Sequence, residues 1–151
     1  MVIIGIDPDS SANGVAVYRD NALSELLSLN TFELSSFLRI VVDVDECVEV
    51  RIEDVCGISA AFTARDKKKS LAVKLKMAQH IGMCKQAQIE VERICEAYEV
   101  KVVKHKVSKM WKDADSGKKQ FESITGWKGQ SNPDKRSAAY FGWLGVTSKR
   151  K

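Results

Sequence analysis

The sequence predicts an α/β fold, a mixed sheet with helices on its faces. Three observations predict it: two early β-branched runs joined by a short turn-rich segment, an alternating apolar and charged run at Val48 to Glu53, and a long helical periodicity from Ser70 to Tyr98. In chain order, Met1 to Asp7 reads as a buried strand. Gly14-Val15-Ala16-Val17-Tyr18 reads as a second, joined to it through Pro8-Asp9-Ser10-Ser11-Ala12-Asn13 as a hairpin. A third strand is expected near Leu23 to Leu29, a short helix near Glu33 to Val41, and a strand over Val48 to Glu53, which Glu53 ends. The charged stretch Ala60 to Lys69, with the lone aromatic Phe62, reads as a surface loop.

From Ser70 to Tyr98 the positions Met77, Ile81, Cys84, Ala87, Val91, Ile94 and Tyr98 step by three or four, which predicts the longest helix and a packed stripe along it. A short strand follows at Val100 to Val103, then a helix over Ser116 to Ile124. The last helix starts at Asn132-Pro133, a cap residue followed by proline at the first helical position. Three antiparallel strands followed by strand, helix and strand give a mixed sheet rather than a purely parallel one.

Composition limits what such a chain can be. With 151 residues, 44% hydrophobic and 29% charged, it is one domain long (1–151) and able to bury a core, which excludes disordered and collagen-like chains. No stretch approaches the ~20 consecutive apolar residues of a membrane span, and the opening apolar run is too short for a signal peptide. No membrane partner is expected. Residues 101 to 151 carry 13 basic and 4 acidic side chains, hence +9, whereas residues 1 to 100 carry 11 and 16, hence −5. A basic last third suggests a polyanionic partner, and a solvated surface with a frayed tail is the alternative. Cys47, Cys56, Cys84 and Cys95 form no CxxC pair and no spacing that reads as a zinc site. They read as reduced thiols packed like small hydrophobes, which implies an intracellular, reducing compartment.

The sharpest chemical signal is acidic. Asp7 follows directly on a buried apolar strand with no basic residue within ten positions after or before it. Glu53 closes a strand with apolar inward positions, and Asp134 stands in the first turn of the last helix. Carboxylates brought together at element ends repel one another and favour a hard divalent cation with oxygen ligands, Mg²⁺ or Mn²⁺. A helix-cap or turn acceptor at Asp7, an ion pair from Glu53 to Arg51 or a lysine, and a helix-dipole role for Asp134 would account for the same residues without a metal.

Ile3-Ile4-Gly5-Ile6-Asp7-Pro8 with Gly14-Val15-Ala16-Val17 resembles the opening of the RuvC-type Holliday junction resolvases of the ribonuclease H-like superfamily. Ile52-Glu53-Asp54-Val55, Lys76 to Gly82, Val102 to Lys109 and Asp134-Lys135-Arg136-Ser137-Ala138-Ala139 continue the resemblance in order along nearly the whole chain. It implies a ribonuclease H-like fold, a mixed five-stranded sheet flanked by helices. Two departures stand out. The family's first motif usually reads Asp-Pro-Gly, and here Asp9 follows Pro8. The final helix usually carries a second ligand three residues from the first, and here Ser137 stands at that distance from Asp134. Either Ser137 replaces the acid, or the register shifts so that Ser131 and Asp134 take the two places.

The resemblance implies metal-dependent hydrolysis of phosphodiesters in branched, four-way-junction DNA by a homodimer. Two ions about 3.5–4 Å apart would be held by Asp7, Glu53 and Asp134, with Ser137 as a weaker ligand, and Lys118 would offset charge on the phosphate. Two-fold symmetry of a junction suits a dimer, and the long helix, with Leu71, Val73, Leu75, Met83 and Ile89 outside its main stripe, is the expected interface unless these residues are core. Backbone contacts are expected from Lys104, Lys106, Lys109, Lys112, Lys118, Lys119, Lys128, Lys135 and Arg136, together with loop residues Arg65, Lys67, Lys68 and Lys69. Phe62 matches an aromatic expected to stack on opened bases, or else anchors the loop on the core. His105 reads as a surface histidine, His80 as a residue of the long helix without a catalytic role, and Trp111, Trp127 and Trp143 as packing residues. Two rivals remain: a non-catalytic nucleic-acid-binding protein on a degenerate nuclease fold, and an ATP-binding fragment of the actin-like superfamily. The latter expects a glycine where Asp9 stands.

Overall fold

The computed structural model describes residues 1–45, 47–59 and 67–149. Five strands, β1 (Val2–Asp7), β2 (Asn13–Arg19), β3 (Ala22–Leu29), β4 (Val48–Glu53) and β5 (Lys101–His105), form one mixed sheet in the order β3-β2-β1-β4-β5. Strands β1, β2 and β3 pair antiparallel, while β4 runs parallel to both β1 and β5. Asp20 and Asn21 both adopt positive φ, 50° and 64°, between paired Arg19 and Ala22, as a two-residue hairpin turn requires. Among the described residues four α-helices flank the sheet: α1 (Thr31–Val44), α2 (Leu71–Ala97), α3 (Ser116–Thr125) and α4 (Pro133–Ser148).

The helix signals in the sequence act where they stand. Asn30 caps α1 through Glu33 N, and the Glu33 side chain returns the bond to Asn30 N. Ser70 caps α2, and Asn132 caps α4 with Pro133 in its first turn. Side-chain alternation divides the core in two. Val2, Ile4, Ile6, Val50 and Ile52 pack with Leu34 and Leu38 of α1 and Val91 and Cys95 of α2. On the other face Ile3, Ala16 and Tyr18 pack with Ala138, Ala139 and Val146 of α4, with Phe121 of α3, and with Trp111. Glycines bring α4 close: a Cβ on Gly5 would lie 1.9 Å from the Ala138 carbonyl oxygen, and one on Gly14 would lie 2.4 Å from that of Asp134.

Several expectations change. The stripe on α2 packs only in its C-terminal half, where Ala87, Gln88, Val91 and Cys95 are buried. Leu71, Val73, Leu75, Met83 and Ile89 are exposed rather than core: the first four stand in the N-terminal half of α2, which has no core cluster against it among the described residues, and Ile89 stands off the buried stripe of the other half. Strand β5 continues through Lys104 and His105, which pair with Ile52 and Glu53. His105 is half-buried and stacks on Phe141 at 5.9 Å, so it is not a surface histidine. Of the four cysteines only Cys95 packs as a core residue; Cys47 and Cys56 are exposed and Cys84 is half-buried.

Candidate active site

Period-two alternation places the two strand-end acids. Since Val2, Ile4 and Ile6 face α1 and α2, Asp7 points to the α4 side; the same rule puts Glu53 on that side of β4. The parallel register pairs Ile6 with Ile52, so Asp7 and Glu53 are the next residues at the carboxyl ends of adjacent strands. Ligands of open α/β sheets bind in the crevice outside such ends. Asp134 enters from the first turn of α4, which Gly14 admits against β2. These three acids line one cavity of about 200 Å³ together with Asp9, His80, Cys84 and Lys112. That volume suits an ion or a single phosphodiester group rather than a ligand of the usual ~300–1,000 Å³ class.

Charge is concentrated there under poor solvation. Asp7 is 5% exposed and Glu53 3%. Burial, then the Asp7 carboxylate, pushes the Glu53 carboxyl up to about 7, although Lys112 and the Ser108 N–H work the other way. Burial, then Asp7 and Asp9, also raises Asp134. Lys112 answers part of this charge: its Nζ lies 3.1 Å from Asp7 Oδ2 and 3.7 Å from Glu53 Oε2. Burial disfavours its charged form, but Asp7 and Glu53 outweigh that and hold its pKa above the ordinary lysine value. Asp7 Oδ2 is buried, and the Lys112 ammonium, an ion-pair partner outside ideal hydrogen-bond geometry, is what meets it among the described residues. A buried carboxylate oxygen met by a single ammonium and grouped with two further acids belongs to a donor set that fits a hard divalent cation.

Lys112 is held in place by a strained loop. Trp111, almost fully buried, adopts φ 64°, a region bulky residues enter only when the surroundings force it. The force is visible in Arg136 of α4, whose guanidinium donates to the carbonyls of Trp111 (2.7 Å) and Lys112 (2.8 Å) and to Ser131 Oγ (3.2 Å). Glu53 is fixed by its Oε1 accepting from Ser108 N at 3.2 Å. Just beyond β4, fully buried Gln88 accepts from Cys56 N and donates to Asp54 and Glu92, tying α2 to the end of that strand.

The sequence-derived candidates are thus redistributed. Asp7, Glu53 and Asp134 come together. The lysine in the pocket is Lys112, not Lys118, which lies one turn from Glu122 on α3 at 3.8 Å and does not line the cavity. Of the two alternative partners for Glu53, Arg51 is not one, because it donates to Glu49 at 2.7 Å, whereas a lysine is, in Lys112 at 3.7 Å. Ser137 is buried with its Oγ unbonded and is absent from the cavity wall, while Ser131 is taken by Arg136. Arg136 is 3% exposed, so its guanidinium serves the Trp111 loop and is not available to a DNA backbone. Lys104 pairs with Glu92 and Lys119 with Asp115, both at the surface. Lys67, Lys68, Lys106, Lys109 and Lys128 are exposed, and Lys135 half-exposed. Phe62 and Arg65 lie outside the described residues.

Sequence reasoning gave His80 and Cys84 no role, yet both line the cavity. Their spacing of four on a helix was the available signal. Lys112, expected only as a backbone contact, carries no signal for the cavity, since its position depends on a loop whose shape Arg136 sets from 24 residues away.

Neither a protein-family model nor a curated protein sequence matches the chain. Among solved structures it is similar to Thermus thermophilus RuvC in complex with a Holliday junction substrate, with a TM-score of 0.59 and 16% identity over 99% of this chain and 96% of that one. It is also similar to a second Thermus thermophilus RuvC structure, with a TM-score of 0.55 and 17% identity over 99% and 96% of the two chains. A third likeness is to the Fowlpox virus resolvase in complex with its substrate Holliday junction DNA, with a TM-score of 0.50 and 14% identity over 97% and 99%. Strand order, flanking helices and near-complete coverage agree: the chain has the ribonuclease H-like fold of the RuvC-type resolvases.

Proposed function

We propose that the protein is a structure-specific endonuclease that hydrolyses phosphodiesters of branched DNA, with the four-way junction as its substrate. The observation that carries this reading is the meeting of Asp7, Glu53 and Asp134 in one small cavity outside adjacent parallel strands. A divalent cation held by these three, Mg²⁺ or Mn²⁺, supplies Lewis-acid stabilisation of the phosphate and a water nucleophile at neutral pH. The protein's part is placement. Asp7 and Glu53 are aimed by the sheet and Asp134 by the α4 cap, while Lys112 offers its ammonium to charge developing on the phosphate. Exposed Lys67, Lys68, Lys106 and Lys109 supply backbone contacts without reading sequence. Junction resolvase structures among the similar folds support the substrate class.

A homodimer follows from the substrate's two-fold symmetry, and exposed Leu71, Val73, Leu75 and Met83 on α2 are its proposed contact. The test is incubation with labelled four-way junction and linear duplex in Mg²⁺, Mn²⁺ or EDTA. Paired, metal-dependent nicks in the junction are expected. Asp7→Asn should reduce cleavage by about 10²–10³-fold, the scale of losing one charge-stabilising group, while junction binding persists. Retained metal-dependent cleavage by that variant would overturn the assignment.

A second reading is a non-catalytic junction-binding protein. It is favoured by the Lys112 ammonium lying between Asp7 and Glu53, and by buried Ser137 where an acid is expected. Salt-sensitive binding with no nicking in any metal would establish it.

A further inference from the structure

We propose that Asp9, His80 and Cys84 form a binding site for one Zn²⁺-class cation at the mouth of the acidic cavity. This site differs in donor chemistry from Asp7, Glu53 and Asp134 and stands independently of the nuclease reading. One carboxylate oxygen, one imidazole nitrogen and one sulfur lie within 4.8 Å of one another. His80 Nε2 and Cys84 Sγ are 3.6 Å apart. Tetrahedral zinc, with Zn–N of 2.0–2.1 Å and Zn–S of 2.3 Å, sets its nitrogen and sulfur ligands about 3.5–3.6 Å apart, so the helical pair already spans one edge of the tetrahedron.

The donors come from two elements that the fold fixes. His80 and Cys84 stand one turn apart on one face of α2, and Asp9 belongs to the turn between β1 and β2. Asp9 is oriented before any ion arrives: Ser11 donates to its Oδ1 from both the backbone N (2.9 Å) and Oγ (2.8 Å), and Asp9 N donates to Asn13 Oδ1 (3.2 Å). Such supporting bonds fix a ligand's direction. Asp9 is also where the first motif departs from Asp-Pro-Gly, so the chain has a carboxylate where the resemblance expects none. A nitrogen, sulfur and oxygen set selects Zn²⁺ over Mg²⁺. Cys84 binds as the thiolate, its proton passing to solvent, and three protein ligands leave a fourth position open. The bound ion would staple the β1–β2 turn, two residues beyond Asp7, to α2.

The test is titration of the reduced, full-length protein with Co²⁺. A thiolate-to-cobalt charge-transfer band should grow to saturation at one equivalent. One equivalent of Zn²⁺ should abolish it, and Mg²⁺ in large excess should not. Cys84→Ser should remove the band. His80→Ala, at an exposed position, and Asp9→Asn should weaken Co²⁺ binding at least tenfold, whereas Cys56→Ser, at an exposed thiol outside the site, should leave it unchanged. Calorimetry with Zn²⁺ on Asp7→Asn should still give one site. No band in the unsubstituted protein, a band that survives Cys84→Ser, or Zn²⁺ binding lost in Asp7→Asn but kept in Cys84→Ser would each overturn the proposal. None of these outcomes bears on junction cleavage, which is assayed separately in Mg²⁺.

Discussion

Glu53 is the residue at which burial and charge oppose each other most directly. Its carboxyl is raised to about 7, by burial first and by Asp7 second. An acid whose pKa is higher folded than unfolded holds its proton more tightly in the native state, so its contribution to stability is present below the ordinary value of 4.5 and is lost as pH rises from there through 7. In metal-free buffer, urea midpoints should therefore fall across that window, and Glu53→Gln should flatten the fall. Ser137 poses a simpler question. A buried hydroxyl without a partner costs about 1–3 kcal/mol, so Ser137→Ala should raise metal-free stability, by about 1 kcal/mol, measured by urea unfolding. A change in the metal dependence of cleavage in the same variant would make Ser137 a ligand after all.

At the scale of elements, the site depends on how closely α4 lies on the sheet. Gly14 pairs with Asp7 across the hairpin, and a Cβ there meets the Asp134 carbonyl at 2.4 Å, a backbone atom that cannot rotate away. Gly14→Ala should therefore destabilise the fold by about 1–3 kcal/mol through overpacking and lower cleavage by displacing Asp134. Thermal unfolding and the junction assay read the two effects separately. The Trp111 loop obeys the same logic, since Arg136 of α4 donates to the backbone that delivers Lys112. One helix thus positions both a carboxylate and a cation of the cavity. Much of this was open to sequence reading at the level of element ends: the Asn132-Pro133 cap, Ser70, and the two strand-ending acids sit where their local patterns put them. The stripe on α2 misled for half its length, because periodicity marks an apolar face but does not name what covers it.

Across the whole molecule, the sheet separates two cores and leaves the N-terminal half of α2 with an apolar surface. Leu75 is 62% exposed and Leu71 72%. If that surface joins two copies, sedimentation at micromolar concentration should give a dimer mass. Leu75→Asp should then shift it to a monomer while leaving thermal unfolding little changed, because among the described residues the side chain belongs to neither core cluster. A monomer for the unsubstituted protein would refute the assembly.

By itself the sequence determined the α/β class, the helix caps and the placement of Asp7 and Glu53, because strand alternation and capping are local rules written into neighbouring residues. Tertiary structure alone decided that Lys112 rather than Lys118 enters the cavity, that Arg136 is buried beneath its loop, and that Asp9 meets His80 and Cys84. Those choices join residues dozens of positions apart, and only the packing of α2 and α4 on the sheet brings such groups within reach of one another.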